Sequence, residues 1–342
     1  MARFVTALTT IYEVDMKAGK LKESVLKRSV LKQLHRRRED VLVAPAVGGD
    51  YGAISLTEDM ALVVSSDPVT LTKESVGCAA IIAACNDVAC SGAIPCGVSV
   101  TMLLPTSYNE EELRNLMKDL DQACEACGVD ILNGHTEVSR VVKEPLVIAT
   151  ALGTVLKKDM MRSNQAKPGM DIVATKWVGL EGTAILACEK EEELRSRYAQ
   201  PFIDNAKVFR QMMSILPEAA VAVKSGASAM HDVSEGGIFG ALWELAESAG
   251  VGLEIDLKKI PIRQETIEIC EFFDLNPYKL LSGGSLLIAT EDGNGLVMEL
   301  EKEGIPAVVI GKATDGNDRV LINEEERRFL ETTQTDELHQ IE

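Results

Sequence analysis

Four stretches place oxygen-bearing side chains, glycines or both at the ends of apolar segments. Gly48-Gly49-Asp50 precedes an apolar alternation that begins at Ile54. Asp67 closes the run Ala61 to Val64 after Ser65-Ser66. Asn86-Asp87 interrupts the stretch Val76 to Cys90, and Asn133-Gly134-His135-Thr136-Glu137 follows Val129 to Leu132. Hard cations such as Mg²⁺ take oxygen ligands, often one or two carboxylates plus substrate phosphates. Backbone N–H groups exposed by paired glycines cradle those phosphates. Four such loops suit a Mg²⁺–nucleotide site assembled from distant segments. Each also has a plainer reading. Gly48-Gly49-Asp50 alone reads as a turn before a strand, Asp67-Pro68 as a strand end, and His135 as a hydrogen-bonded loop histidine. Asp87 differs, because a carboxylate within so apolar a helix is costly unless paired or metal-bound.

In the second half, His231-Asp232-Val233-Ser234-Glu235-Gly236-Gly237 precedes an amphipathic helix. Asp232 and Glu235 have capping-box spacing, which is a complete structural explanation. The functional reading is that this helix start, with Gly236 and Gly237, faces phosphate. Leu281-Ser282-Gly283-Gly284-Ser285 is a similar small-residue turn. No P-loop, no GxGxxG, no GxSxG elbow and no HExxH occurs in the sequence.

The elements that must position these residues are legible in outline. Residues 21–39 have helical periodicity, with Leu21, Val25, Leu26, Val30, Leu31 and Leu34 on one face. Ile54 to Val64 reads as a strand or a hairpin turning at Glu58-Asp59. Val76 to Cys90 is apolar on all sides, the mark of a buried helix. Asn109 to Cys127 is a helix with a capping Asn109 and an acidic first turn. Gly97 to Leu104, Val129 to Leu132 and Leu146 to Val155 are expected strands. After a polar linker from Lys157 to Gly169, Asp171 to Thr175, Gly252 to Ile255, Ser285 to Thr290 and Ala307 to Ile310 are expected strands. Helices are expected at 181–192, 203–225, 237–249 and 293–303, the second interrupted near Pro217. The pattern is α+β with two domains, 1–156 and 168–325, followed by a charged, frayed tail over 326–342.

Composition narrows the class. The 342 residues carry a net charge of −18, which argues against nucleic acid as a partner. Residues 1–40 nonetheless hold ten basic and five acidic side chains, and Arg36-Arg37-Arg38 reads as the solvated end of a helix. The longest uninterrupted apolar run is Cys78 to Cys85, far short of the roughly 20 residues of a membrane span. Met1 to Tyr12 lacks a secretory pattern. The eight cysteines, mostly in apolar surroundings, read as buried thiols of a cytoplasmic protein. Cys124-Glu-Ala-Cys127 has CxxC spacing but no second pair to complete a zinc site.

Taken in order, these segments resemble the AIR synthase superfamily, from about residue 17 to about residue 323. The pieces that carry the resemblance begin with Val47-Gly-Gly-Asp-Tyr-Gly-Ala53, Ser66-Asp-Pro68, Asn86-Asp-Val-Ala-Cys-Ser-Gly-Ala-Ile-Pro95 and Asn133-Gly-His-Thr136. They continue with Pro168-Gly-Met-Asp171, Gly179-Leu-Glu-Gly182, His231-Asp-Val-Ser-Glu-Gly-Gly237 and Ser282-Gly-Gly284. The resemblance implies a PurM-like N-terminal α+β domain whose sheet pairs with a second copy in a homodimer. It also implies a C-terminal α/β domain, with ATP and Mg²⁺ in the cleft between the two. By position, Asp50, Asp67 and Asp87 match metal–phosphate carboxylates, and His231 and Asp232 match a catalytic loop. Gly48, Gly49, Asn86, Gly134, Thr136, Gly236 and Gly237 fall where the nucleotide is held. His135 stands where many members have an acid, which leaves Glu137 as a substitute ligand.

Departures matter. Asp67 is followed by Pro-Val-Thr-Leu-Thr-Lys rather than the GVGTK type of AIR synthases. The reactive N-terminal Cys or Sec of selenophosphate synthetases has no match, since the first cysteine is Cys78. The body resembles the HypE-like branch, but the sequence ends Glu-Leu-His-Gln-Ile-Glu, without the terminal carrier cysteine of that branch. The expected activity is therefore ATP- and Mg²⁺-dependent phosphoryl transfer that activates a small oxygen-bearing substrate. The alternatives are a kinase resembling thiamine monophosphate kinase, a nucleotide-binding maturation or scaffold protein that does not turn over and works with a maturation-factor partner, and a cysteine-based metal module.

Overall fold

The apolar run Cys78 to Cys85 becomes the middle of helix α2 (Val76–Cys90), buried on nearly every side. Its burial is possible because a sheet covers one flank, α3 (Glu110–Cys127) another, and the second half of the chain the rest. The computed structural model describes residues 19–35, 38–332 and 335–341. The first sheet comprises β1 (Val41–Val43), β2 (Gly52–Ser55), β3 (Met60–Val69), β4 (Ile94–Leu104), β5 (Asp130–Val138) and β6 (Leu146–Leu156). Their order is β1-β2-β3-β6-β4-β5, antiparallel except for the parallel pair β4–β5. The hairpin at Glu58-Asp59 forms as expected, with β2 and β3 in register from Gly52↔Val64 to Ser55↔Ala61. Helix α3 begins with a complete capping box between Asn109 and Glu112.

The second sheet has the order β13-β12-β9-β11-β7-β10-β8. Its strands are β7 (Asp171–Thr175), β8 (Ala229–Val233), β9 (Gly252–Asp256), β10 (Ser285–Thr290), β11 (Ala307–Thr314), β12 (Arg319–Asn323) and β13 (Glu326–Phe329). Helices α4 (Leu180–Glu189), α5 (Glu191–Leu194), α6 (Gln200–Lys207), α7 (Leu216–Lys224), α8 (Gly237–Ala249), α9 (Gln264–Phe272) and α10 (Gly293–Lys302) flank it. Ala89 and Cys90 of α2 share an apolar cluster with Ile215, Ala219, Met230 and Leu286, so α2 belongs to both halves. Asn86 rivets them. Its amide donates to the Met213 carbonyl at 2.9 Å and accepts the Ile215 N–H at 3.0 Å.

Four expectations change. The N-terminal helix is short: α1 (Glu23–Val25) runs on through irregular turns to Gln33 and no further. Of its apolar face Val25 is buried, while Leu21, Val30 and Leu34 are exposed. Polar contacts fasten this segment to α8: Lys27 pairs with Glu247 at 2.7 Å, and the Trp243 indole donates to Glu23 at 3.1 Å. Arg36 and Arg37 lie outside the described residues, as do Met1 to Tyr12. The stretch Asn133 to Glu137 is not a loop, because β5 continues through it to Val138. His231-Asp232 sits on β8, not in a capping loop; α8 instead starts from Gly236, which has no side chain to cap it. The tail is not frayed over its described part. It forms β13 and then buries Leu330, Asp336 and Leu338.

Candidate active site

The turn at Gly48 approaches α8 so closely that a Cβ there would lie 2.3 Å from the Glu244 carbonyl oxygen. Gly48 also has φ of 67°, which glycine adopts without strain. This turn delivers Asp50 to His231 on β8, with Oδ1 3.3 Å from Nε2. His231 donates from Nδ1 to the Asp232 carbonyl at 2.7 Å, which assigns the proton on that nitrogen. Nε2 then faces two carboxylates, Asp50 and Glu244, the latter at 3.6 Å. It has no hydrogen-bond partner, and neither has Asp50 Oδ2, although both side chains are more than nine-tenths buried. Ligand atoms of Asp50, His231 and Asp232 lie within 4.8 Å of one another. Such a donor set calls for a proton or a bound cation.

A second pair of carboxylates adjoins the first. Ser65 hydroxyl contacts Asp87 Oδ2 at 2.6 Å and Asp67 Oδ2 at 3.2 Å. One hydroxyl has one proton, so it serves the nearer acid, and the two carboxylates crowd each other. Burial first, then Asp232 and Asp67, push Asp87 well above the ordinary carboxylate range. Burial, with Asp232 and Glu244 nearby, raises Asp50 to about 7 against the pull of His231. Asp232 is raised by the same burial. Burial alone would lower His231, but Asp50, Glu244 and Asp232 together hold it up.

These residues line a cleft of about 730 Å³ between the two halves. Of the residues singled out in the sequence, Gly48, Gly49, Asp50, Asp67, Asp87, His231, Asp232 and Gly236 line it. Asn86 does not, because its side chain rivets the two halves. Gly134, Thr136 and Glu137 lie exposed on the edge strand β5, with Glu137 3.4 Å from His135. Gly237 approaches the Tyr278 carbonyl rather than the cavity. The N–H at the start of α8 is already taken: Gly236 donates to Asp336 at 2.7 Å.

Among the further residues that line the cleft without having stood out in the sequence are Lys20, Glu181, Glu244 and Asp336. Asp336 also accepts from Leu281 at 3.2 Å and Leu338 at 3.0 Å. Glu181 is raised to about 7 by burial and by Asp336. Each is a single charge in an unremarkable context, and the Gly179-Leu-Glu-Gly182 turn was the one available signal. The first and last described segments meet beside the cleft. Glu235 accepts the Lys20 N–H at 3.0 Å and lies 3.6 Å from His339 Nε2, with Gly19 wedged between them.

Two family models cover most of the chain. The one described as AIR synthase related protein, N-terminal domain, matches residues 48–155, and the one described as AIR synthase related protein, C-terminal domain, matches residues 167–323. A putative hydrogenase expression/formation protein of Methanocaldococcus jannaschii is 26% identical over 89% of this chain and 91% of its own length. The carbamoyl dehydratase HypE of Rhodobacter capsulatus is 28% identical over 72% of each chain. A crystal structure of the hydrogenase maturation protein HypE in complex with ATP shares the fold, with a TM-score of 0.71 and 19% identity over 94% of this chain and 97% of that one.

Proposed function

The chain belongs to the AIR synthase related family, and from that premise we propose that it binds ATP and Mg²⁺ in the cleft and activates a small oxygen-bearing substrate by phosphoryl transfer. The observation that carries this reading is the pair of buried, unsatisfied atoms, Asp50 Oδ2 and His231 Nε2, on residues that line a cavity together with Asp67, Asp87 and Asp232. An oxygen-rich donor set of this kind fits Mg²⁺. The carbamoyl dehydratase relative and the ATP complex of a protein with the same fold support the same direction.

Asp50, Asp67 and Asp87 would hold the metal, with Asp232 added to the set by its position. Bound Mg²⁺ would neutralise phosphate charge during transfer. His231 keeps Asp50 oriented and holds or releases a proton at Nε2, beside the reacting groups. Residues 1–156 supply the carboxylates of the phosphate side, and residues 168–325 supply β8 and the substrate side. A homodimer through the first sheet completes the assignment. It is supported by the open face of that sheet, where Ile54, Leu62, Thr154 and Ile94 form one cross-strand row with Ile94 76% exposed.

The test is a thermal-shift titration with ATP, with and without Mg²⁺, on the wild type and Asp67→Ala. A ligand bound by the native state alone raises the midpoint with concentration. The expected outcome is a Mg²⁺-dependent rise that Asp67→Ala abolishes. An unchanged wild-type midpoint at millimolar ATP would reject the reading.

A further inference from the structure

The cleft is crowded with carboxylates, yet its proposed ligand is a polyanion. Asp50, Asp67, Asp87, Asp232, Glu181 and Glu235 all face it. Metal ions offset part of that repulsion, and a fixed ammonium on the phosphate path would offset more. Lys20 is placed to supply one. It stands on the segment 19–26 that walls the mouth, anchored there by its own N–H on Glu235 rather than by its side chain. Its ammonium reaches Glu244 at 3.3 and 3.4 Å, well beyond the 2.7–2.9 Å usual for a charged N–H···O bond. The side chain remains 46% exposed. Glu244 meanwhile faces His231 Nε2 on its other side. The contact is therefore a loose parking place beside the metal-binding carboxylates. The surrounding acids, Glu244 first and then Asp232 and Glu235, keep the lysine charged.

We propose that Lys20 is a phosphate-holding residue: when ATP enters, its ammonium leaves Glu244 and pairs with the terminal phosphates, while the backbone anchor on Glu235 stays in place. No bond is made or broken; one ion pair is exchanged for another. The inference rests on the nucleotide reading given under Proposed function. It adds to that reading a residue of the N-terminal segment, which the matched family models do not cover.

The test is isothermal titration calorimetry with ATP in Mg²⁺ buffer, on the wild type, Lys20→Gln, Lys20→Arg and Lys27→Ala. Lys27 fastens the same segment to α8 through Glu23 and Glu247 but does not line the cleft, so its variant loosens the segment and leaves the ammonium. Lys20→Gln is expected to weaken ATP about tenfold or more, the scale of one charge-assisted contact. Lys20→Arg and Lys27→Ala are expected to stay within about threefold of the wild type. Wild-type affinity in Lys20→Gln would overturn the proposal. So would equal losses in Lys20→Gln and Lys27→Ala, since detachment of the segment would then explain both. A wild type that binds no ATP would reject the nucleotide reading itself, and this inference with it.

Discussion

Glu181 and Asp336 are acids of the cleft with no ion pair among the described residues, and with the raised Asp50, Asp87 and Asp232 they shape how the ligand-free protein responds to pH. Burial raises Glu181 to about 7 and Asp336 to about 6, above their unfolded values. A raised acid binds its proton more tightly in the folded state. Its stabilising contribution is therefore complete below the unfolded pKa and is lost as pH rises through the folded one. Glu191 and Glu247, held at about 2 by their cationic partners, have the opposite sign, but they act below about pH 4.5. The melting midpoint of the ligand-free protein should fall between about pH 5 and pH 8, and Glu181→Gln should flatten that fall. A midpoint that is level or rising across the window would contradict the burial argument. These two acids also mark the limit of what the residues disclosed on their own. Asp87 was legible because it breaks an apolar run. Asp336 sits among other polar residues, and Glu181 and Glu244 stand on helices, where an acid normally faces water.

Elements were legible where local chemistry and packing agree. Helix α3 carries its capping box in sequence, and Asn109→Ala should cost about 1 kcal/mol in urea denaturation. Strand β8 was illegible because its two polar residues, His231 and Asp232, are buried in the sheet they help to form. Strand β5 runs past its sequence pattern, because an edge strand exposed on both faces has no apolar alternation to read. The order of the tail is hidden from the sequence for a similar reason. Its main anchor is one carboxylate that satisfies three backbone N–H groups, those of Gly236, Leu281 and Leu338. Asp336→Ala strands these donors in a buried place, and we expect a loss of about 2–4 kcal/mol. A loss below about 0.5 kcal/mol would mean that water replaces the carboxylate without penalty.

At the scale of the whole molecule, the proposed dimer rests on the unpaired face of the first sheet. Apolar rows of this kind on soluble proteins mark interfaces. Ile94→Lys should halve the mass seen in analytical ultracentrifugation while leaving the circular dichroism unchanged. A wild type that sediments as a monomer would remove the dimer from the proposal. The meeting of Lys20 and His339 at Glu235 has a mechanical meaning as well. Tension applied between residues 19 and 341 would fall first on that small polar clasp. Behind it lie β1 and β13, each the outermost strand of its sheet. Outer strands pulled from one end peel open a bond at a time instead of shearing all at once. The molecule should thus yield at low force from its two rims inward, and the riveted centre around α2 should be the last part to give way.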